Sequence, residues 1–186
     1  EILEHSNQLH DTGYTIRDTR KVVSAKELLG RLAQLSISRE SSHHHSDKKV
    51  VFTNGCFDLL HPGHIATLEF AKSQGDILVV GLNSDKSVKK IKGPTRPILN
   101  QSDRARVLSA LSMVDYIVLF DEPTPLNLVK QIKPNVLVKG MDWQDKTVVG
   151  YDILKKSGGK VVLAPIVKGV STTDIINRIT VHAGII

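Results

Sequence analysis

The chain has 186 residues, 40% of them hydrophobic and 24% charged, which suits one domain with a sizeable core. A single cysteine, Cys56, excludes an internal disulfide framework and fits a reducing cytoplasm, and no apolar run approaches the ~20 residues needed to span a bilayer. A formal charge of +6 and a pI of about 9.4 favour anionic ligands, while aromatics at 4% are too few for the stacking platforms of a single-strand nucleic-acid binder.

Residues 1–47 read as an N-terminal extension with no signal-peptide core. Within it "VVSAKELLGRLAQL" (Val22–Leu35) predicts an amphipathic helix packed on the domain. "SISRESSHHHSDKK" follows as a polar linker, and its His43–His45 run reads as a solvated low-complexity loop in preference to a metal site.

From residue 48 to 186 strands and helices alternate. "KVVFT" (Lys49–Thr53) is a β-branched strand, and His61–Gly75 has helical spacing with glycine as its stop. "DILVVGL" (Asp76–Leu82) is the apolar run of a strand buried on both faces. Asn83–Leu99 reads as a long basic loop punctuated by Gly93, Pro94 and Pro97. "SDRARVLSALSMV" predicts a helix capped at Ser102 or Asp103, and "DYIVLF" a third strand. A helix starts at Pro123 or Pro125 and runs to about Gln131, followed by strand "NVLVKG". Thr147–Ser157 is a helix ended by Gly158-Gly159, "KVVLAP" a fifth strand, and "STTDIINRI" a last capped helix. This order predicts an α/β fold with a doubly wound, parallel, five-stranded, Rossmann-like sheet. Ligands of such sheets sit at the carboxyl ends of the strands.

"TNGCFDLLHPGH" (Thr53–His64) falls at that end of the first strand. His61 and His64, at i and i+3, share one face of a first helical turn. Pro62 costs no hydrogen bond there, and Gly63 removes a side chain where something must approach the backbone. A helix tip of this kind offers unpaired N–H groups and two imidazoles to a phosphate chain. Spacing alone leaves equal room for a plain helix start with two surface histidines. Nearby, Lys86, Lys89, Lys90, Lys92, Arg96, Arg104 and Arg106 gather with only Asp103 among them, a cluster suited to a small phosphorylated ligand.

"GCFDLLHPGH" resembles the G-x-F-D-x-x-H-x-G-H signature of the nucleotidyltransferase superfamily that includes the cytidylyltransferases, and "GVSTTDII" (Gly169–Ile176) resembles its second signature. More narrowly, "LVVGLNSDKSVKKIKG", "DEPTP", "VLVKGMDW" and "STTDII" make residues 21–180 similar to the adenylyltransferases of ADP-heptose synthesis. That family also has a two-domain form with a sugar kinase in front. A chain of 186 residues leaves no room for the kinase, so the expected likeness is to the stand-alone form.

The resemblance implies that ATP and heptose 1-phosphate give ADP-heptose and pyrophosphate by direct in-line transfer. It implies His61, His64 and Lys92 as catalytic donors and cations. Thr53, Asn54, Gly55, Phe57, Gly63, Gly140, Ser171, Thr172 and Thr173, with the two histidines, are expected to line the nucleotide site. Arg96, Arg104 and Lys139 are expected to meet substrate phosphates, and Asp142 a ribose or sugar hydroxyl. Asp58 reads equally as a group orienting substrate or as a structural cap. Asn83 is placed with the substrate-binding residues, though it and Asp85 also read as structural. Mg²⁺ is expected with the triphosphate, held mostly by phosphates and water, with no protein metal ligands. A homodimer or higher homo-oligomer is expected, with neither nucleic acid nor membrane as partner. The rivals are a cytidylyltransferase acting on another phosphorylated alcohol, such as glycerol 3-phosphate, and a non-catalytic nucleotide- or nucleic-acid-binding module. Against glycerol 3-phosphate, Ile166-Val167-Lys168-Gly169 stands where that family has R-T-E-G.

Overall fold

The computed structural model describes residues 19–37, 48–140, 148–167 and 169–183. Its frame is a five-stranded, wholly parallel sheet. The strands are β1 (Val50–Gly55), β2 (Ile77–Asn83), β3 (Tyr116–Phe120), β4 (Val136–Gly140) and β5 (Lys160–Ala164), in spatial order β3-β2-β1-β4-β5. The strand order reverses between β1 and β4, so the chain leaves the sheet in opposite directions on either side of β1. That divergence opens the crevice in which α/β sheets hold ligands.

The helices are α1 (Ala25–Ile37), α2 (Pro62–Ser73), α3 (Asp85–Lys92), α4 (Gln101–Ser109), α5 (Leu126–Ile132), α6 (Tyr151–Lys156) and α7 (Thr172–His182). Successive side chains of a strand point to opposite faces, and the core divides on that rule. Val51, Leu78, Val80, Leu82, Val136 and Val138 pack with Leu68 and Ala71 of α2 and Ala105 and Leu108 of α4. Phe52, Ile77, Val79 and Leu137 face the other way, onto Leu28 of α1, Leu128, Val129 and Ile132 of α5, and Leu154 of α6. All seven residues of β2 are buried, as its apolar run predicts.

Beyond shifts of helix ends, such as α6 beginning at Tyr151 and α4 ending at Ser109, the sequence-based elements need three corrections. Residues 83–99 are not one long loop, because α3 occupies Asp85–Lys92. Ser84 caps it by accepting from the Ser87 amide, Asp85 lies in the first turn, and Ser87 and Val88 are its buried side. The cap of α4 is Asn100, whose Oδ1 accepts from the Asp103 amide, in place of Ser102 or Asp103. The segment "VV" at 22–23 is not helical. Val22 forms a parallel bridge with Ile117, and the Val23 amide donates to the Ile117 carbonyl, so the chain covers part of the β3 edge before α1 begins.

Candidate active site

Two stretches far apart in sequence meet at the carboxyl ends of the strands. After β1 the chain turns through Cys56 and Phe57. Phe57 adopts a left-handed φ of 44°, uncommon for a residue with a side chain, and its ring is buried. Gly55 makes this possible, since a Cβ there would lie 3.0 Å from the Phe57 ring. Phe57 in turn packs against His64, with ring centroids 5.1 Å apart.

His61 is the N-cap of α2, with Pro62 at the first helical position. The His61 and His64 rings stack with centroids 3.8 Å apart and planes 24° apart. Gly63 permits this. A Cβ added there would come within 3.1 Å of the His61 ring. The Nδ1 atoms of both rings are buried without a hydrogen-bond partner. Such groups are costly, and they concentrate at functional sites.

The tip of α7 closes the site from the second side. The Thr172 hydroxyl reaches the Leu59 carbonyl at 3.5 Å, and the Val170 carbonyl would lie 3.8 Å from a Cβ at position 63. Ser171 is the N-cap of α7. Its hydroxyl accepts from the Asp174 amide at 3.1 Å and donates to the Asp174 carboxylate at 2.6 Å. That capping arrangement uses the Asp174 amide and leaves the Thr172 and Thr173 amides and the exposed Thr173 hydroxyl as donors at the helix tip. Asp174 is absent from the sequence-based site, yet its carboxylate acts electrostatically on His61. The S-x-x-D spacing from Ser171 to Asp174 is the signal that could have found it.

Burial lowers the pKa of both histidines. For His61 the Asp174 charge opposes the shift. His64 is pushed down to about 4, first by burial and then by its stacked neighbour, against opposing effects of the Leu59 backbone and Asp58. Protonating both rings would set two positive charges side by side. A histidine neutral when folded and ordinary when unfolded favours the unfolded chain as acid is added. His64 should therefore erode stability as pH falls from about 6.5 toward 4 and have no effect above that window. Melting temperatures of the protein and of His64→Gln, followed from about pH 7.5 to 4.5, test this: the native protein should lose stability more steeply. Parallel curves would show that His64 protonates freely when folded.

The remaining predicted residues fall into distinct places. Thr53 is buried, and its hydroxyl donates to the Val138 carbonyl at 3.1 Å, tying β1 to β4. Lys139, also buried, donates to Asn54 Oδ1 across the same junction, next to Gly140 at the end of β4. Asp58 is 2% exposed. It pairs with Arg96 Nε at 2.5 Å and accepts from the Ile98 and Leu99 amides, so it acts as the anchor of the segment after α3. Lys92 is exposed at the end of α3, and the charges of Lys92 and Arg96 lower the pKa of the Cys56 thiol after β1. Burial nevertheless raises the pKa of that thiol, which fits a packed side chain.

Two predicted substrate contacts point inward. Arg104 is 1% exposed, and its guanidinium donates to the carbonyls of Cys56, Asn83 and Leu99 and to the Asp85 carboxylate. Asn83 is buried and donates to the Ser87 hydroxyl. In this arrangement both fasten the ends of β1 and β2 to α3 and α4, and neither presents a group to solvent. Asp142 and His43–His45 lie outside the described residues.

The donor set is made of imidazoles, helix-tip amides, hydroxyls and lysine. It suits anions, and among the described residues no group of three or more His, Cys, Asp or Glu could hold a metal ion. A strand–loop–helix crevice with an imidazole pair at one helix tip and a second tip beside it offers a donor set of the kind that suits a phosphate chain. Residues 52–178 match the family described as cytidylyltransferase-like, and the chain belongs to that family. It is 56% identical over 137 residues to the Bifunctional protein HldE of Gluconobacter oxydans (strain 621H), covering 74% of this chain and 28% of that protein. It is 62% identical over 132 residues to the Bifunctional protein HldE of Campylobacter concisus (strain 13826), covering 71% of this chain and 27% of that protein. The chain thus spans little more than a quarter of the length of these curated relatives. A solved structure, the lipopolysaccharide core biosynthesis protein from Thermoplasma volcanium GSS1, is 31% identical with a TM-score of 0.53, covering 66% of this chain and 99% of that one.

Proposed function

We propose that the chain is an adenylyltransferase that converts ATP and heptose 1-phosphate to ADP-heptose and pyrophosphate. The observation that carries this reading is the approach of the α7 tip to the stacked histidines of α2, through Thr172 to Leu59 and Asp174 to His61. The similarity to the HldE proteins and to a lipopolysaccharide core biosynthesis protein supports a sugar nucleotide as product.

A phosphate oxygen of the sugar attacks the α-phosphorus of ATP, a new P–O bond forms in line, and the bond to the β-phosphate oxygen breaks to release pyrophosphate. No side-chain nucleophile is needed. The chain positions two anions and stabilises the charge that develops between them. His61 and His64 donate to the α-phosphate most strongly in the transition state. The first-turn amides of α7, with Thr172 and Thr173, hold the β- and γ-phosphates. Asn54 and Gly55 at the end of β1, Phe57 behind the histidines, and Gly140 at the end of β4 line the nucleoside side. Lys92, and Arg96 fixed by Asp58, draw in the sugar phosphate, with Lys139 on the β4 side, and Asp142 is assigned to a ribose or sugar hydroxyl. Mg²⁺, held by phosphate oxygens and water with no protein ligand, would neutralise part of the triphosphate charge.

No described helix is long and apolar enough to cross a membrane, and the use of ATP supports the reading of a cytoplasmic enzyme. Self-association completes the reading. Helix α7 has no fully buried residue, and it leaves Ile179 and Val181 more than half exposed for a second copy.

Pyrophosphate release tests the proposal. ATP and CTP should be offered with heptose and hexose 1-phosphates in both anomeric forms, and with glycerol 3-phosphate. Release is expected with ATP and a heptose 1-phosphate. Release only with CTP and glycerol 3-phosphate would replace the proposal by the cytidylyltransferase reading. Salt-sensitive DNA binding without turnover would replace it by a binding module.

A further inference from the structure

At the opposite end of the sheet a cleft of about 400 Å³ opens among the residues that lead into the strands. Its charged lining is Arg20, Lys21, Arg31 and Lys48, with Asp76 and Asp115. We propose that this cleft is a second anion site, which binds a small phosphate-bearing molecule independently of the histidine pair.

Three observations lead there. First, four cations surround one small space. Like charges held together repel, and an anion among them removes that cost. Asp76, Asp115 and Glu27, the last paired with Arg31, offset part of that charge, yet cations still outnumber carboxylates here. Asp115 Oδ2 accepts from the Leu78 amide at 2.6 Å and from Lys72 Nζ at 2.5 Å, so its charge is matched by a lysine outside the lining. Asp76 Oδ2 accepts from the Lys49 amide at 2.7 Å.

Second, two of the cations are fixed in place. Arg31 donates to the Arg20 carbonyl at 2.8 Å and to Glu27 at 2.7 Å, with its guanidinium 5.7 Å above the Tyr116 ring. Lys21 Nζ donates to the Leu111 carbonyl at 3.0 Å. Arginine has five N–H donors and lysine three, so each keeps donors for a ligand. Side chains held beforehand lose less entropy when they bind.

Third, size and position fit a separate small ligand. The volume lies within the range of small-molecule sites. Strand β1 runs from this end, at Val50, to the loop of the histidines after Gly55. Its six residues rise ~3.3 Å each, so the two sites are about 20 Å apart. A mononucleotide or sugar phosphate cannot touch both. A ligand here would bridge the segment before α1, α1 itself, and the starts of β2 and β3.

The test is a titration of the isotope-labelled protein followed by backbone amide resonances. Inorganic phosphate, glucose 1-phosphate and AMP serve as separate probes that distinguish free phosphate, sugar phosphate and nucleotide. Saturable shifts are expected at Lys21, Lys48, Ser112 and Asp115, and they should persist when His61→Ala and His64→Ala are combined. Lys48→Glu, an exposed position, should weaken the affinity read at Ser112 and Asp115 about tenfold or more and leave the rest of the spectrum in place. Arg31→Gln should do the same. Absence of saturable shifts at these residues with all three probes would overturn the site, as would unchanged affinity in Lys48→Glu. Neither outcome touches the adenylyltransferase reading, which pyrophosphate release judges separately.

Discussion

Replacing either His61 or His64 by alanine should lower kcat by a hundredfold or more, on the order expected when one donor to a developing charge is lost. The two rings form one unit, stacked at 3.8 Å and braced by Phe57 and by the absence of a Cβ at Gly63. Removing one ring frees the other, so the double variant should lose less than the product of the single losses. The KM for ATP should rise less than kcat falls, because the imidazoles act chiefly when charge builds on the α-phosphate. Steady-state pyrophosphate release by the two single variants and the double variant measures all three quantities. A rise in KM with kcat unchanged would reduce the histidines to ground-state contacts.

The second large effect concerns stability. Arg104→Ala should destabilise the fold by about 3–5 kcal/mol, the range found when one partner of a buried charged network is removed. The Arg104 side chain is fully enclosed, and four of its contacts tie the Cys56, Asn83 and Leu99 carbonyls and Asp85 into one knot. Its loss strands the buried Asn83 carbonyl and the half-buried Cys56 and Leu99 carbonyls and loosens α3, which carries Lys92. Denaturant unfolding should show a lower midpoint with a similar slope. If Arg104 instead meets the substrate, the midpoint would hold while the KM for the sugar phosphate rises.

The residues left legible whatever depends on period and local chemistry. The fully apolar β2 announced a strand covered on both faces, and the strand–helix alternation announced the parallel sheet. The helix start at α2 was legible in Pro62 and the i, i+3 histidines, but their spacing alone fitted a plain helix start equally well, and only the buried, stacked rings separate the two readings. Helix α3 was missed because Gly93, Pro94 and Pro97 mark a loop strongly. Its own signals are a Ser84 cap and the buried Ser87 and Val88, too small to outweigh them. The enclosure of Arg104 was not legible, because a sequence displays a charge without its burial. The meeting of the α7 tip with His61 depends on how β5 and the segment after it lie across the sheet, which no local pattern encodes. The Asp58–Arg96 pair is similar in kind, since a cap and a cation became partners only once the loop closed on the end of β1.

The most direct measurement is a crystal structure of the protein with a non-hydrolysable ATP analogue. The triphosphate should lie between the tips of α2 and α7, with its α-phosphate within hydrogen-bonding distance of the His61 and His64 rings and its outer phosphates on the first-turn amides of α7. A triphosphate seated anywhere else, or imidazoles turned away from it, would contradict the account.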